Sequence, residues 1–195
     1  MEYPFFAMMA RMKYIERWAL MRNSVTENIS EHSMEVAMLA HCLGIISNEK
    51  CGANVDLNKL VLIGLYHDAN EIITGDMPTP VKYHDSGIRD AYKRVEEMAN
   101  HKLLQKLPAY MRKYYEEVLF MQSGDEELWK LVKAADKLSA LIKCIEEEKA
   151  GNKEFSTAAR TIRKALCQMG REEVDIFMRD FLPSYSKTLD ELQNM

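Results

Sequence analysis

The chain has 195 residues, of which 47% are hydrophobic and 29% are charged, and its formal net charge is −4. This composition is typical of a globular protein and excludes intrinsic disorder and collagen-like order. Because 30 acidic residues outnumber 26 basic ones, we expect no nucleic-acid polymer as a partner, since such partners require many phosphate contacts.

Hydrophobic periodicity and capping residues predict helices along the chain and no convincing strand, so we expect an all-α fold. Glycine (8) and proline (5) are scarce, which favours long helices. No repeat or linker-like stretch divides the sequence, so we expect one domain over residues 1–195. The predicted helices span about residues 3–18, 31–48, 56–74, 86–106, 109–121, 125–150, 153–169 and 171–192.

Local residues indicate where several of these helices begin and end. Asn28 or Ser30 can cap the second helix, and Asp56 can cap the third. Pro78 and Pro80 follow the third helix in a loop that we expect to be stiff and extended, because proline disfavours helix in the residue before it. Such a loop suits the wall of a binding site.

The cysteines and the apolar runs bear on where the protein functions. The four cysteines lie at positions 42, 51, 144 and 167 without CxxC spacing, and three fall in apolar helical patterns. We therefore expect small core residues in a reducing compartment. The apolar run at 5–10 is too short for a signal peptide, and no run approaches the roughly 20 residues of a membrane span. These patterns predict a cytoplasmic protein with no membrane partner.

The most informative segment is an apolar run that ends in His67 and Asp68, with Glu71 three residues later. If the helix continues through this segment, His67 and Glu71 share a face and Asp68 lies one turn from Glu71. Burying three ionisable groups is costly unless they are paired, so the segment indicates a metal-dependent site. A second pair, His84-Asp85, lies among turn-forming residues and is expected in a surface loop.

Two more residues have the chemistry to join that site. His32 falls in the first turn of a predicted helix, where the helix dipole disfavours imidazolium and keeps the ring able to bind metal. Asp136 lies in mid-helix among small and apolar residues, an unfavourable place for an unpaired carboxylate. From the residues alone, a histidine at a helix start such as His32 is more often a surface or capping residue than a ligand, and Asp136 could pair with Lys133 or Lys137.

Four sequence blocks are specific in combination: Arg17-Trp18-Ala19-Leu20-Met21-Arg22-Asn23, Thr26-Glu27-Asn28 with Ser30-Glu31-His32-Ser33, Tyr66-His67-Asp68-Ala69 with Glu71, and Thr74-Gly75-Asp76 with Pro78-Thr79-Pro80-Val81-Lys82-Tyr83. With Asp136 on a later helix, they resemble the bacterial 5′-deoxynucleotidases of the HD-domain metal-dependent phosphohydrolases. The resemblance covers nearly the whole chain and implies a single compact HD-domain helical bundle. The chain departs from the family pattern at Asn70, where relatives more often carry serine, and around Asp136, which Lys137 and Ser139 flank.

The resemblance implies metal-dependent hydrolysis of 2′-deoxyribonucleoside 5′-monophosphates to deoxynucleoside and inorganic phosphate, broad for the base and selective against ribonucleotides. His32, His67, Asp68 and Asp136 would hold one divalent transition metal ion, and mixed imidazole and carboxylate ligands suit Co, Mn, Fe, Ni, Cu or Zn. Glu71 would be the candidate for proton transfer.

The same resemblance assigns substrate contacts. Arg17, also expected to be catalytic, would orient the scissile phosphate with its planar guanidinium. Trp18 would pack near the sugar and leave no space for a 2′-hydroxyl, while Asp76 would accept a hydrogen bond from the 3′-hydroxyl. The predicted substrate-binding residues are Arg17, Trp18, Asp68, Asp76, Met77, Pro78, Thr79 and Asp136.

Other interpretations of these residues stay open at this level. Arg17 could pair with Glu16 or Glu27 on the surface, Trp18 could belong to the core, and the acidic run 146–148 is most simply a solvated helix end. A triphosphohydrolase or cyclic phosphodiesterase would need more basic residues near the ligands. A helical scaffold with a structural metal would more often use cysteine ligands. The resemblance also implies a homodimer, with which the Met-rich helices are compatible.

Overall fold

A computed structural model describes residues 2–82 and 85–194, and this part of the chain contains helices and no β-strand. Its one isolated β-bridge joins Glu16 to Asn28. The predicted all-α fold is confirmed, while the extent of one domain over 1–195 stays a prediction. The α-helices are α1 (Phe5–Met9), α2 (Ile29–Lys50), α3 (Leu57–Tyr66), α4 (Glu71–Thr74), α5 (Thr79–Lys82), α6 (Ser86–Leu104), α7 (Ala109–Leu119), α8 (Glu126–Lys149), α9 (Ser156–Gln168), α10 (Glu172–Asp180) and α11 (Leu189–Gln193). Three 3₁₀ helices span Ala10–Tyr14, Lys153–Phe155 and Leu182–Ser186.

The main core forms where α2, α3 and α8 pack against one another. Leu43, Leu60 and Leu138 are fully buried there, and burying such a side chain contributes about 1.5–3 kcal/mol. Gly64 allows a close approach of α3 to α2, because a Cβ at this position would lie 3.0 Å from the Cα of Ala37. This packing brings the C-terminal end of α3 beside the first turns of α2.

The capping residues of these central helices behave as their chemistry predicts. Asn28 caps α2 in a capping box with Glu31, and the carboxylate of Asp56 accepts hydrogen bonds from two backbone N–H groups at the start of α3. Asp85 caps α6, whereas His84 lies outside the described residues, so its loop placement stays a prediction.

The predicted helix 3–18 is wrong beyond residue 14. After α1 and the first 3₁₀ helix, Ile15 is extended, and the chain pairs with the segment that precedes α2. The Arg17 N–H donates to the Glu27 carbonyl at 2.9 Å, and the Ile29 N–H donates to the Ile15 carbonyl at 3.0 Å. These long-range bonds replace the i→i−4 bonds of a continuing helix, and they place the 17–27 loop beside the N-terminus of α2.

The predicted helix 56–74 is interrupted. It ends at Tyr66, and the segment that follows makes three-residue turns, in which Ala69 N–H donates to the Tyr66 carbonyl and Glu71 N–H donates to the Asp68 carbonyl, each at 3.0 Å. His67 and Glu71 therefore do not share the face of one continuous α-helix. Gly75, with φ +71°, ends α4 in a backbone conformation that favours glycine.

Two further corrections to the predicted elements involve proline. The loop after α4 is not extended throughout, because Thr79–Lys82 forms α5, and a proline in a first helical turn has no N–H bond to lose. The predicted helix 171–192 is divided, because a 3₁₀ helix with Pro183 in its first turn lies between α10 and α11.

The cysteines are free, and only Cys144 is buried; Cys167 is exposed, so its predicted core position is wrong. None of the helices in the described part of the chain has both the length and the apolar character needed to cross a membrane. The cytoplasmic location stays a prediction.

The acidic run on α8 is not a wholly solvated helix end, since Glu147 is buried and forms an ion pair with Lys143. Its carboxylate accepts hydrogen bonds from Ser24 N–H at 2.8 Å, Val25 N–H at 3.3 Å and the Asn152 amide at 2.7 Å. Burial opposes the charged form, but the hydrogen bonds from Lys143, Asn152 and Ser24 lower the pKa of Glu147 to about 2. Glu147 thereby fixes the 17–27 loop to the core.

Candidate active site

Three helices meet at the four residues that the sequence predicts as metal ligands. His32 lies in the first turn of α2, while His67 and Asp68 follow the last residue of α3, and ligand atoms of these three all lie within 4.8 Å of one another. Asp136 reaches the same point from α8, with its Oδ1 3.3 Å from His32 Nε2. The structure therefore brings the four together, and neither lysine considered as a partner of Asp136 is needed.

Hydrogen bonds decide which nitrogen of His67 faces the cluster. Its Nδ1 lies 2.8 Å from the carbonyl oxygen of Gly64. A carbonyl only accepts, so Nδ1 carries a proton and Nε2 is the ring nitrogen that faces the cluster. Nε2 of His67 lies 3.1 Å from an Asp68 oxygen.

The Nε2 atoms of His32 and His67 are buried, and neither has a hydrogen-bond partner among the described residues. Leaving a buried polar atom unpaired costs about 1–3 kcal/mol. A cation beside two imidazole nitrogens and two carboxylates would satisfy both atoms. The residues present therefore fit a divalent transition metal ion.

The two carboxylates of the cluster are charged at neutral pH. Burial opposes the charge on Asp68, yet His67 and His32 hold the pKa of this carboxyl well below its usual range. Burial also opposes the charge on Asp136, where the contact with His32 lowers the pKa to about 2. The cluster thus contains two negatively charged oxygen donors.

Arg17 places a permanent positive charge beside the cluster. Its Nη1 lies 3.5 Å from Asp68 Oδ2 and its Nε lies 3.4 Å from Glu27 Oε2, with the side chain only 12% exposed. Burial favours the neutral form, but the carboxylates of Asp136, Glu27, Asp68 and Asp76 together raise the pKa of Arg17. The pair with Glu27 that the sequence allowed is therefore present, but it is buried rather than on the surface.

Trp18 is held next to Arg17 in a backbone conformation that is unusual for a bulky residue, with φ +59°. Such a conformation costs about 1–3 kcal/mol and requires support from its surroundings. The indole N–H donates to Glu27 Oε2 at 2.9 Å, and the ring packs against Phe155 at a centroid distance of 5.3 Å. Trp18 thus contacts the core, as its apolar pattern suggested, and is tied to the site through Glu27.

Glu71 and Asp76 complete the acidic surroundings. Glu71 is 5% exposed and its Oε2 has no hydrogen-bond partner in the described part of the chain. Burial, reinforced by the charges of Asp68 and Asp76, raises the pKa of Glu71 to about 9. Its carboxyl is therefore protonated at neutral pH. Burial also raises the pKa of Asp76.

Met77 and Pro78 follow Asp76 and are partly buried, and Thr79 begins α5. The substrate-contact roles predicted for these residues and for Asp76, and the roles of the cluster residues, stay predictions.

A family model for YfbR-like 5′-deoxynucleotidases matches residues 4–185. The chain belongs to this family. Membership confirms the resemblance seen in the sequence blocks and the prediction that the chain is an enzyme, a 5′-deoxynucleotidase. Among relatives, a 5′-deoxynucleotidase of Erwinia tasmaniensis is 46% identical over 96% of this chain and 95% of the relative, and one of Photorhabdus temperata is 47% identical over the same shares.

Solved structures show the same fold as this YfbR-like chain. An HD-domain phosphohydrolase of Listeria innocua superposes with a TM-score of 0.80 at 22% identity, covering 97% of this chain and 91% of that one. A cyanophage S-2L HD phosphohydrolase, bound to dA and one catalytic Zn²⁺ ion, superposes with a TM-score of 0.64 at 20% identity, covering 93% and 96%. At these identities the similarity establishes the fold, and the predicted HD-domain bundle is confirmed.

Sequence reasoning missed residues that support the site of this YfbR-like protein. Glu27 belongs to one of the sequence blocks but received no role beyond a surface pair with Arg17. It contacts Arg17 and Trp18 and lies 3.6 Å from His32 Nδ1. Ser139 was noted only as a departure from the family pattern. The available signal was that Glu27 and Ser139 each lie within a few residues of a predicted ligand in the sequence. Their contacts could not be predicted, because they join segments that are far apart in the chain.

Proposed function

We propose that this chain is a metal-dependent phosphatase that converts 2′-deoxyribonucleoside 5′-monophosphates to deoxynucleoside and inorganic phosphate. The proposal is carried by the buried Nε2 atoms of His32 and His67, which have no hydrogen-bond partner within residues 2–82 and 85–194. Both atoms face two carboxylates beside the Arg17 guanidinium. The relatives named as 5′-deoxynucleotidases support the substrate class, and the zinc- and dA-bound cyanophage protein supports both a metal and a deoxynucleoside ligand.

His32, His67, Asp68 and Asp136 would hold one divalent ion of Co, Mn, Fe, Ni, Cu or Zn. When bound, such an ion lowers the pKa of a coordinated water and polarises a phosphoryl oxygen. Substrate binding and proton transfer are the roles of the chain's own residues. Arg17 binds and orients the phosphate with its fork of N–H donors. Protonated Glu71 carries a proton that the leaving 5′-oxygen of the nucleoside requires.

Selectivity would come from the sugar side of the site. Trp18 would pack against C2′ and exclude a 2′-hydroxyl, Asp76 would accept from the 3′-hydroxyl, and Met77, Pro78 and Thr79 would line the sugar. Because these contacts involve sugar and phosphate, the base should influence turnover little.

Parallel assays of phosphate release from dAMP and AMP, with metal-stripped protein before and after Co²⁺ or Mn²⁺ addition, test this function. We expect metal-dependent turnover with a preference for dAMP of about 100-fold, the size of discrimination that a pocket achieves by excluding one hydroxyl. Trp18→Ala should remove most of that preference, because the opened pocket admits the 2′-hydroxyl. Trp129→Ala, which removes another partly buried tryptophan packed against the core, should keep the preference.

Comparable rates on dAMP and AMP in the wild type would contradict the role of Trp18 but keep the hydrolase. Metal-dependent release from dATP instead of dAMP would contradict the monophosphate substrate. No release from any of these esters would overturn the proposed function.

We also propose a homodimer formed through an apolar stripe on α2 and α3. Met34, Met38 and Ile45 recur on one side of α2 and are exposed, with Met38 at 58%, and Leu62 is exposed on the neighbouring α3. Covering such side chains is favourable, and two-fold pairing of one surface is the commonest assembly. Sedimentation velocity should give a dimer that Met38→Glu dissociates; a monomeric wild type would contradict the proposal.

A further inference from the structure

The second ring nitrogen of His32 points away from the ligand cluster and into a buried contact between α2 and α8. Nδ1 of His32 lies 3.0 Å from the hydroxyl oxygen of Ser139. Ser139 is fully buried on α8, one turn after Asp136. Its hydroxyl oxygen in turn lies 2.5 Å from Oε2 of Glu35, which is one turn after His32 on α2. The three side chains thus form a series of contacts between α2, which carries His32, and α8, which carries Asp136.

The direction of these hydrogen bonds follows from how many protons each group has. A serine hydroxyl has a single proton, and Ser139 donates it to the Glu35 carboxylate. The lone pairs of the Ser139 oxygen then accept from the N–H at Nδ1 of His32. With the proton at Nδ1, the bare nitrogen of a neutral ring is Nε2, which lies 3.3 Å from Asp136 and 3.5 Å from Asp68.

Another acceptor stands near the same nitrogen but is less well placed. Glu27 Oε1 lies 3.6 Å from His32 Nδ1, beyond hydrogen-bonding distance, and the other oxygen of Glu27 is engaged by Trp18 and Arg17. His67 achieves the equivalent arrangement with a backbone acceptor, the Gly64 carbonyl. Only His32 therefore depends on a side chain for its orientation.

We infer that Ser139, itself held by Glu35, is a positioning residue that fixes His32 as the Nδ1–H tautomer and directs Nε2 to the metal. This inference rests on the proposed function, because it requires a metal ion at the ligand cluster. Without the Ser139 hydroxyl, the neutral ring can place its proton on Nε2 or turn, and either change competes with metal binding. The partner of a ligating histidine typically contributes a factor of 10–100 to metal affinity.

The test measures metal affinity directly in the whole 195-residue chain. Metal-stripped wild type and Ser139→Ala are titrated with Zn²⁺ in competition with a chromophoric chelator, and we expect Ser139→Ala to bind about 10–100-fold more weakly. Ser33→Ala is the matched control: Ser33 is adjacent to His32 and buried, but its hydroxyl has no hydrogen-bond partner among the described residues. Ser33→Ala should keep wild-type affinity. Glu35→Gln keeps an acceptor for Ser139 and should lose less affinity than Ser139→Ala.

A second readout needs no substitution. In ¹⁵N-histidine NMR spectra of the Zn²⁺-loaded wild type, His32 should show a protonated Nδ1 and a metal-bound Nε2. A metal-bound Nδ1, or equal affinities of Ser139→Ala and Ser33→Ala in a wild type that binds Zn²⁺, would overturn the inference and leave the proposed function intact. A wild type that binds none of Zn²⁺, Co²⁺ and Mn²⁺ would overturn both.

Discussion

Asp68→Asn is expected to abolish metal-dependent phosphate release from dAMP and to weaken metal binding by more than about 100-fold, the upper end of what loss of a supporting group costs. Asp68 contacts both cluster histidines and the arginine, since its Oδ2 lies 3.1 Å from His67 Nε2, 3.5 Å from His32 Nε2 and 3.5 Å from Arg17 Nη1. Asparagine keeps the shape but removes the negative charge that both the metal and the Arg17 guanidinium need. Metal titration and phosphate assays on the same preparation measure the two effects.

Asp175→Asn on the exposed face of α10 removes the same charge from the surface and should leave both quantities unchanged. The metal-stripped wild type supplies the other control. If the ion is catalytic, chelation should eliminate turnover while circular dichroism shows the helices retained, whereas loss of the fold would indicate a structural ion. Unaltered metal affinity in Asp68→Asn would contradict the ligand assignment.

The proximity of His32, His67, Asp68 and Asp136 could be anticipated in part because several of them are chemically out of place in their local surroundings, while their assignment as one metal-ligand set was implied by the family resemblance and stays a prediction. A histidine and an aspartate at the end of an apolar run, and an aspartate among small residues in mid-helix, are costly without a partner, and the sequence shows this cost directly. The caps Asn28 and Asp56 were predictable for a similar reason, since a cap is satisfied by backbone groups two or three residues away.

The 17–27 loop was not predictable from local pattern, because distant residues determine its conformation. Hydrophobic periodicity continues the first predicted helix through residue 18. The structure breaks this helix, because the two ends of the loop pair through backbone hydrogen bonds and Trp18 packs against Phe155. Glu147, more than 120 residues from Ser24, completes the loop by accepting its backbone N–H groups. An acidic run at a helix end does not indicate which carboxylate turns inward, since the groups that satisfy it belong to another segment.

The turn that carries Asp68 illustrates a smaller failure of the same kind. Apolar periodicity ends at Tyr66, and nothing in the next residues forbids an α-helix, so the sequence predicts its continuation. The structure instead buries Ala69 in a second apolar cluster with Phe5 and Leu103, and three-residue turns replace the helix. His67, Asp68 and Glu71 therefore owe their arrangement to the packing of α1 and α6.

Glu71→Gln should lower kcat for dAMP by about 10²–10⁴-fold while leaving metal affinity near that of the wild type. The Glu71 carboxyl is buried and its pKa is raised to about 9, mainly by burial, so it holds a proton at neutral pH that glutamine cannot supply. If this proton goes to the leaving 5′-oxygen, a phosphate ester with an acidic phenol as leaving group should lose far less activity, because a phenolate departs without protonation. Steady-state assays of both esters separate the cases.

The same substitution has a consequence for stability that does not depend on metal or substrate. Folding raises the pKa of Glu71 from 4.5 to about 9, so the metal-free wild type should lose free energy of unfolding as pH rises between these values. Glu71→Gln has no ionisable group at this position and should have a higher free energy of unfolding than the wild type at pH 8. Urea denaturation of both metal-stripped proteins measures this difference. If Glu71→Gln turns over dAMP at the wild-type rate, Glu71 does not transfer a proton. If the variant loses equal activity on both esters, Glu71 acts in a step that precedes departure of the leaving group. If Glu71→Gln is more stable than the wild type but turns over dAMP more slowly, burial of Glu71 destabilises the fold and supplies the proton that the reaction requires.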